Sequence, residues 1–138
     1  MAATACRIRT FAPQLLVDDL DGAIKFYHDV LGFSFGPPWR GFYAIGKRDG
    51  FEVHLKCAPK TAADRAHRLE HEHLDIHAGV VGVDALYETC KANGATITKP
   101  LASTAWGTRD FYVMDPEGYI LAFGESEMPV ETDRRRKP

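Results

Sequence analysis

Apolar and polar positions along this chain alternate with two different periods, and each change of period marks an element. From Thr10 to Val17 the period is that of a strand, with Phe11, Leu15 and Val17 on one face and Ala12, Gln14 and Leu16 on the other. Asp18-Asp19-Leu20-Asp21 then sets acidic residues where a helix would begin, which suits capping and the helix dipole. Ala23, Ile24, Phe26, Tyr27, Val30 and Leu31 recur with helical period, and Gly32 suits the C-terminal cap. Phe33 to Phe35 predicts a short strand, halted by Gly36-Pro37-Pro38. Trp39 to Ile45 and Gly50 to Cys57 predict two paired strands across the turn Lys47-Arg48-Asp49-Gly50. The first part therefore reads β-α-β-β-β.

After a polar, Ala- and Arg-rich stretch from Ala58 to Glu70, the pattern starts again. Leu74, Ile76, Ala78 and Val80 alternate as on a strand, and Asp84, Ala85, Leu86, Tyr87 and Cys90 open a helix that ends at Asn93-Gly94. Ala95 to Lys99 predicts a short strand stopped by Pro100. The run from Trp106 to Glu125 is a hairpin around Asp115-Pro116-Glu117-Gly118, where Asp, Pro and Gly stand where a type I turn favours them. Beyond the turn, Tyr119, Leu121 and Phe123 share one face, while Ile120, Ala122 and Gly124 leave the other with little bulk, as a pocket-lining strand would.

The two halves superpose. Val17 to Asp21 lies over Val80 to Asp84, Gly32 over Gly94, and Gly50 with Phe51 to Leu55 over Gly118 with Tyr119 to Phe123. The expected fold class is α+β, two βαβββ modules whose curled sheets surround a concave cleft, where a ligand site belongs. Residues 1–9 are expected to be an N-terminal extension, 10–57 the first module, 58–70 a connector, 71–125 the second module and 126–138 a tail, in one domain overall. The expected core is Leu15, Val17, Phe26, Leu31, Val53, Leu55, Leu74, Ile76, Leu86, Phe111, Leu121 and Phe123.

Composition narrows the function classes. A net charge of −2 argues against a nucleic-acid surface, which needs a concentrated basic face. The basic run Arg134-Arg135-Arg136-Lys137 reads as a solvated tail. Cys6, Cys57 and Cys90 share no metal or redox spacing and suit a reducing compartment. No apolar run approaches the ~18 residues of a membrane span, and the start lacks a signal peptide's apolar middle. The expectation is a cytoplasmic protein with no membrane partner.

Val17-Asp18-Asp19-Leu20-Asp21, Ala23-Ile24, Phe26-Tyr27 and Leu31-Gly32-Phe33 together resemble the first-module signature of the vicinal oxygen chelate superfamily. Val83 to Tyr87 and Arg109-Asp110-Phe111 with Asp115-Pro116 and Gly118 resemble the second module. That family includes glyoxalase I, extradiol dioxygenases, and the fosfomycin- and bleomycin-resistance proteins. The resemblance spans about residues 10–125. It is specific for fold and less so for function.

The resemblance implies metal ligands, in the family's enzymes, on the inner faces of each module's first and last strands. Carried onto this chain, those positions are Ala12, His54, Asp75 and Ala122. Alanine has no donor atom, so the chain departs from the enzyme pattern and no cofactor is expected. The alternative is one divalent metal such as Fe, Mn, Ni or Zn, on a displaced site of His54, His73, Asp75 and His77. On a strand, His71, His73, Asp75 and His77 would share one face. Against that site, histidines two apart on a strand stand about 6 to 7 Å from each other, wide for neighbouring ligands.

Trp39, Phe42, Tyr43, Trp106 and Phe111 predict an aromatic-lined groove. With His54, Asp75 and His77 they form the expected ligand-binding set. That composition resembles the bleomycin-resistance branch, whose dimers hold bulky ligands in interface grooves without reacting on them. The resemblance implies a homodimer and a small-molecule ligand. The alternative is a metal-dependent lyase or dioxygenase. Arg109-Asp110 reads as a structural pair, and nothing adjacent activates Cys57 as a nucleophile.

Overall fold

Each half of the chain wraps a four-stranded mixed sheet against one amphipathic helix. The computed structural model describes residues 6–58, 66, 70–71 and 73–127. The chain divides into two compact units, Met1–Lys60 and Thr61–Pro138. The first contains β1 (Gln14–Val17), α1 (Leu20–Asp29), β2 (Ser34–Phe35), β3 (Tyr43–Arg48) and β4 (Phe51–Cys57). The second contains β5 (Ile76–Gly79), α2 (Val83–Ala92), β6 (Thr96–Ser103), β7 (Thr108–Met114) and β8 (Ile120–Ser126). The strand orders β1-β4-β3-β2 and β5-β8-β7-β6 are the same, which is the predicted repeat in three dimensions.

In the first unit, β1 pairs parallel to β4 with Gln14 opposite His54. The Asp19 carboxylate accepts the Gly22 N–H at 3.1 Å and caps α1. Leu15, Val17, Val53 and Leu55 are buried on the helix side with Leu20, Ala23, Tyr27 and Leu31. The Tyr27 ring packs edge-on against Phe26 at 5.2 Å and Phe33 at 6.1 Å. Asp49 and Gly50, with φ of 54° and 84°, make the tight turn that joins Arg48 to Phe51.

In the second unit, β7 and β8 close around the predicted turn. The Gly118 N–H donates to the Asp115 carbonyl at 3.0 Å, and Asp115 Oδ1 accepts from the Glu117 and Tyr119 N–H groups at 2.8 and 2.9 Å. Phe111 lies between Tyr87 of α2, at 5.0 Å, and Phe123, at 5.3 Å, so the odd-numbered faces of β7 and β8 meet the helix. Glu125 Oε1 accepts the Gly82 and Val83 N–H groups at 3.0 and 2.9 Å, a carboxylate seated on the first turn of α2. Arg109 Nε donates to Asp84 Oδ1 at 2.7 Å.

Several sequence expectations need correction. Phe11 is 89% exposed, because β1 begins only after Pro13, which has no N–H to give a ladder. Trp39 is not the start of a strand. It meets Tyr43 in an isolated bridge, since Arg40 and Gly41 turn the chain with φ of 49° and 75°. Strand β6 does not stop at Pro100 but runs through it to Ser103, where register shifts on an edge strand accommodate the missing donor. Leu74 is exposed and Phe26, Ile76 and Leu86 are half-buried, while the other predicted core residues are buried.

The strand expected over His71 to His77 begins only at Ile76. Asp75 Oδ2 accepts the Ile120 N–H at 2.9 Å, the donor that a carbonyl of a continuing strand would have met. Arg109 and Asp110 are not a pair, for neighbours on a strand point to opposite faces. Ile120 to Gly124 are all buried on β8, so the face expected to line a pocket is covered as well as the face toward the helix. Most of the connector and the tail beyond Glu127 lie outside the described residues.

Candidate functional site

The face of the first sheet turned away from α1 carries a continuous polar and aromatic strip. Strand alternation sends Gln14, Tyr43, Glu52 and His54 to this face, since Gln14 and Ile45 flank His54 in register. Gln14 Nε2 donates to the Tyr43 hydroxyl at 3.0 Å. That hydroxyl lies 2.7 Å from His54 Nδ1, and His54 Nε2 lies 2.9 Å from Glu52 Oε1. Lys47 Nζ stands 3.9 Å from Glu52 Oε2.

The donors and acceptors in this chain order themselves. An ionised Glu52 only accepts, so a neutral His54 ring bonded to it would carry its proton on Nε2. Nδ1 then accepts from the Tyr43 O–H, whose oxygen accepts from Gln14. Every group has its partner and the imidazole is held at both ends. The His54 and Glu52 side chains are 26% and 17% exposed, so these bonds are partly shielded from water.

The aromatic part continues from the same tyrosine. Tyr43 meets His54 edge-on at 5.6 Å, Phe42 follows at 6.4 Å, and Trp39 meets Phe42 at 5.4 Å. The Trp39 ring is 59% exposed and the Arg40 guanidinium lies 4.7 Å over it. Trp39, Phe42, Tyr43 and His54 thus come together in one run.

The second unit places its candidates differently. Asp75 is tied to the Ile120 backbone, with His73 Nε2 at 3.6 Å from its Oδ1. His77 pairs in register with Ala122, the same place that Gln14 and His54 occupy in the first unit. Trp106 is 67% exposed on the turn closed by Thr104 and Thr108. Phe111 is fully buried on the helix side, so its contribution is packing. Arg109 is beside Asp84, which raises its pKa further above the ordinary value.

The positions where the family's enzymes hold a metal do not fit one here. Ala12 and Ala122 have no donor, both His54 nitrogens are engaged by Tyr43 and Glu52, and Asp75 accepts a backbone N–H. Among the described residues, no three His, Cys, Asp or Glu side chains gather as a metal ion would require.

Sequence reasoning missed two residues. Glu52 stands two positions before His54 on one strand, a spacing that by itself puts both on one face. Asp110 is buried and, among the described residues, its Oδ1 meets no hydrogen-bond partner. Its alternation with Phe111 and Val113 carried the signal that it leaves the helix face.

The sequence profile of the Glyoxalase/Bleomycin resistance protein/Dioxygenase superfamily matches residues 7–123. An uncharacterized protein of Mycobacterium tuberculosis is 31% identical over 133 residues, covering 88% of this chain and 77% of that protein. The lactoylglutathione lyase of Haemophilus influenzae is 31% identical over 125 residues, covering 82% of this chain and 89% of the lyase. Among solved structures, TioX from Micromonospora sp. ML1 shares the fold with a TM-score of 0.68 at 21% identity, over 85% of this chain and 98% of that one.

Proposed function

This chain belongs to the Glyoxalase/Bleomycin resistance protein/Dioxygenase superfamily, and on that premise we propose that it binds a small organic molecule without a metal and without reacting on it. The binding surface is the strip of Trp39, Phe42, Tyr43 and His54, where the exposed Trp39 side chain stacks on a flat body and the tyrosine–histidine pair orients a polar edge. The observation that carries this reading is the double engagement of His54. A metal ligand must offer a free nitrogen, and this ring offers none unless Tyr43 or Glu52 lets go.

The protein acts as a cytoplasmic homodimer in this reading. Cys6, Cys57 and Cys90, which share no metal or redox spacing, support the compartment, and among the described residues no helix is long and apolar enough to cross a membrane. Phe51, Val81 and Trp106 are 73%, 97% and 67% exposed, apolar area that a second copy would cover. Sedimentation at micromolar concentration is expected to give a dimer, and a clean monomer that still binds ligand contradicts it.

A second reading, a metal-dependent lyase, is favoured by the 31% identity to the Haemophilus influenzae lactoylglutathione lyase. A compound screen by thermal shift in excess EDTA separates the two. A ligand at about 100 times its dissociation constant adds ~2.7 kcal/mol of stability. The binding reading expects aromatic compounds whose shift survives EDTA and is lost in Trp39→Ala. Shifts that vanish in EDTA support the lyase.

A further inference from the structure

Four residues stand in one row across the first sheet. Leu16 on β1 is opposite Lys56 on β4, Lys56 is opposite Tyr43 on β3, and Tyr43 meets Trp39 in the isolated bridge. Partners in register project from the same face, so Lys56 belongs to the strip that carries Tyr43 and His54. The Phe42 carbonyl accepts the Cys57 N–H at 2.8 Å, which makes Tyr43 and Lys56 a non-hydrogen-bonded pair, the kind whose side chains come closer.

Lys56 is half-buried in that row, yet among the described residues its ammonium meets no carboxylate and no hydrogen-bond acceptor. Among those residues the buried side-chain atom without a partner is Asp110 Oδ1, so Lys56 Nζ stays open to solvent. Glu52 is the only carboxylate on the four strands of this sheet, and it is engaged by His54 at 2.9 Å and Lys47 at 3.9 Å. At the far end of the row the Arg40 guanidinium lies 4.7 Å over the Trp39 ring. A half-buried cation gains more from an anion than a fully exposed one does, because less water screens the pair.

We infer that the strip takes an aromatic acid, with its ring on Trp39 and its carboxylate on Lys56. This deepens the binding reading and rests on the strip being the ligand surface. Trp39 and Lys56 are two strand steps apart with Tyr43 between them, so their backbones stand roughly 10 Å from each other and a flat body lying over Tyr43 reaches both. The ammonium supplies the charge and the N–H donors for a charge-assisted bond to the carboxylate. A neutral ring compound leaves Lys56 without an anion, and an organic cation is repelled by Lys56 and Arg40.

The test is a titration of the 15N-labelled full chain with 2-naphthoate and, separately, with its neutral analogue 2-naphthamide. Naphthoate is expected to shift the Trp39 indole N–H and the Lys56 amide, and to bind roughly 10-fold tighter than naphthamide, the worth of a charge-assisted hydrogen bond. Lys56→Met keeps the length of the side chain and removes its charge. It is expected to erase the preference for naphthoate and leave naphthamide binding unchanged, while Lys56→Arg retains the preference. Equal binding of the two compounds to the unmutated chain overturns the inference and leaves the binding reading intact. A preference for naphthoate that survives Lys56→Met, or that is lost only in Arg40→Gln, overturns it as well. If neither compound moves the Trp39 indole at millimolar concentration the inference also fails, and the binding reading is then decided by the wider compound screen.

Discussion

The Tyr43 hydroxyl lies 2.7 Å from His54 Nδ1 while Glu52 Oε1 lies 2.9 Å from Nε2, so the histidine at the position where the family resemblance places a metal ligand is engaged at both nitrogens by its own sheet. Tyr43→Phe and His54→Ala are each expected to lower stability by about 1 kcal/mol. The double mutant should lose less than their sum, with a coupling of about 0.5 to 1.5 kcal/mol. Urea denaturation of the four proteins gives the cycle. Strict additivity would mean the two side chains do not interact in solution.

Phe123 is 8% exposed and stacks on Phe111 beneath α2. Phe123→Ala is expected to cost roughly 3 to 5 kcal/mol, by lost burial and by the cavity left behind. A surface-like loss below about 0.5 kcal/mol would mean that β8 is in the wrong register by one residue.

Glu125 joins the end of the last described strand to the start of α2 through two backbone N–H groups. Glu125→Ala removes the oxygen that accepts both N–H groups and the charge that faces the helix dipole, an expected loss of about 1 kcal/mol. Hydrogen exchange should show faster opening of the first turn of α2, with the sheet core unchanged. Equal protection in both proteins contradicts the cap.

Much of the fold was legible because local chemistry and global pattern agree. The Asp115-Pro116-Glu117-Gly118 turn, both helices and the β4 face follow from short-range rules, and the repeat gave the order of elements along the chain. What failed was decided by backbone donors rather than by side-chain pattern. Pro13 delayed β1, Arg40 and Gly41 turned the chain before β3, and the Asp75 carboxylate took a bond from the β5 ladder. Pro100 was tolerated because β6 is an edge, which no local window reveals.

The candidate site was legible only in part. Trp39, Phe42, Tyr43 and His54 were chosen as separate aromatic and polar residues, and the structure makes them one run. Glu52 passed unnoticed although its spacing from His54 was visible. Asp110 was read with Arg109 as a pair, and period-two alternation separates them. Its carboxylate lies over Gly124 across the sheet, a relation that sequence neighbours cannot carry.

Metal analysis of the protein purified without a histidine tag tests the central claim most directly. The account predicts Fe, Mn, Ni and Zn far below one per chain, unchanged by His54→Ala. Near-stoichiometric metal that is lost on His54→Ala would contradict it.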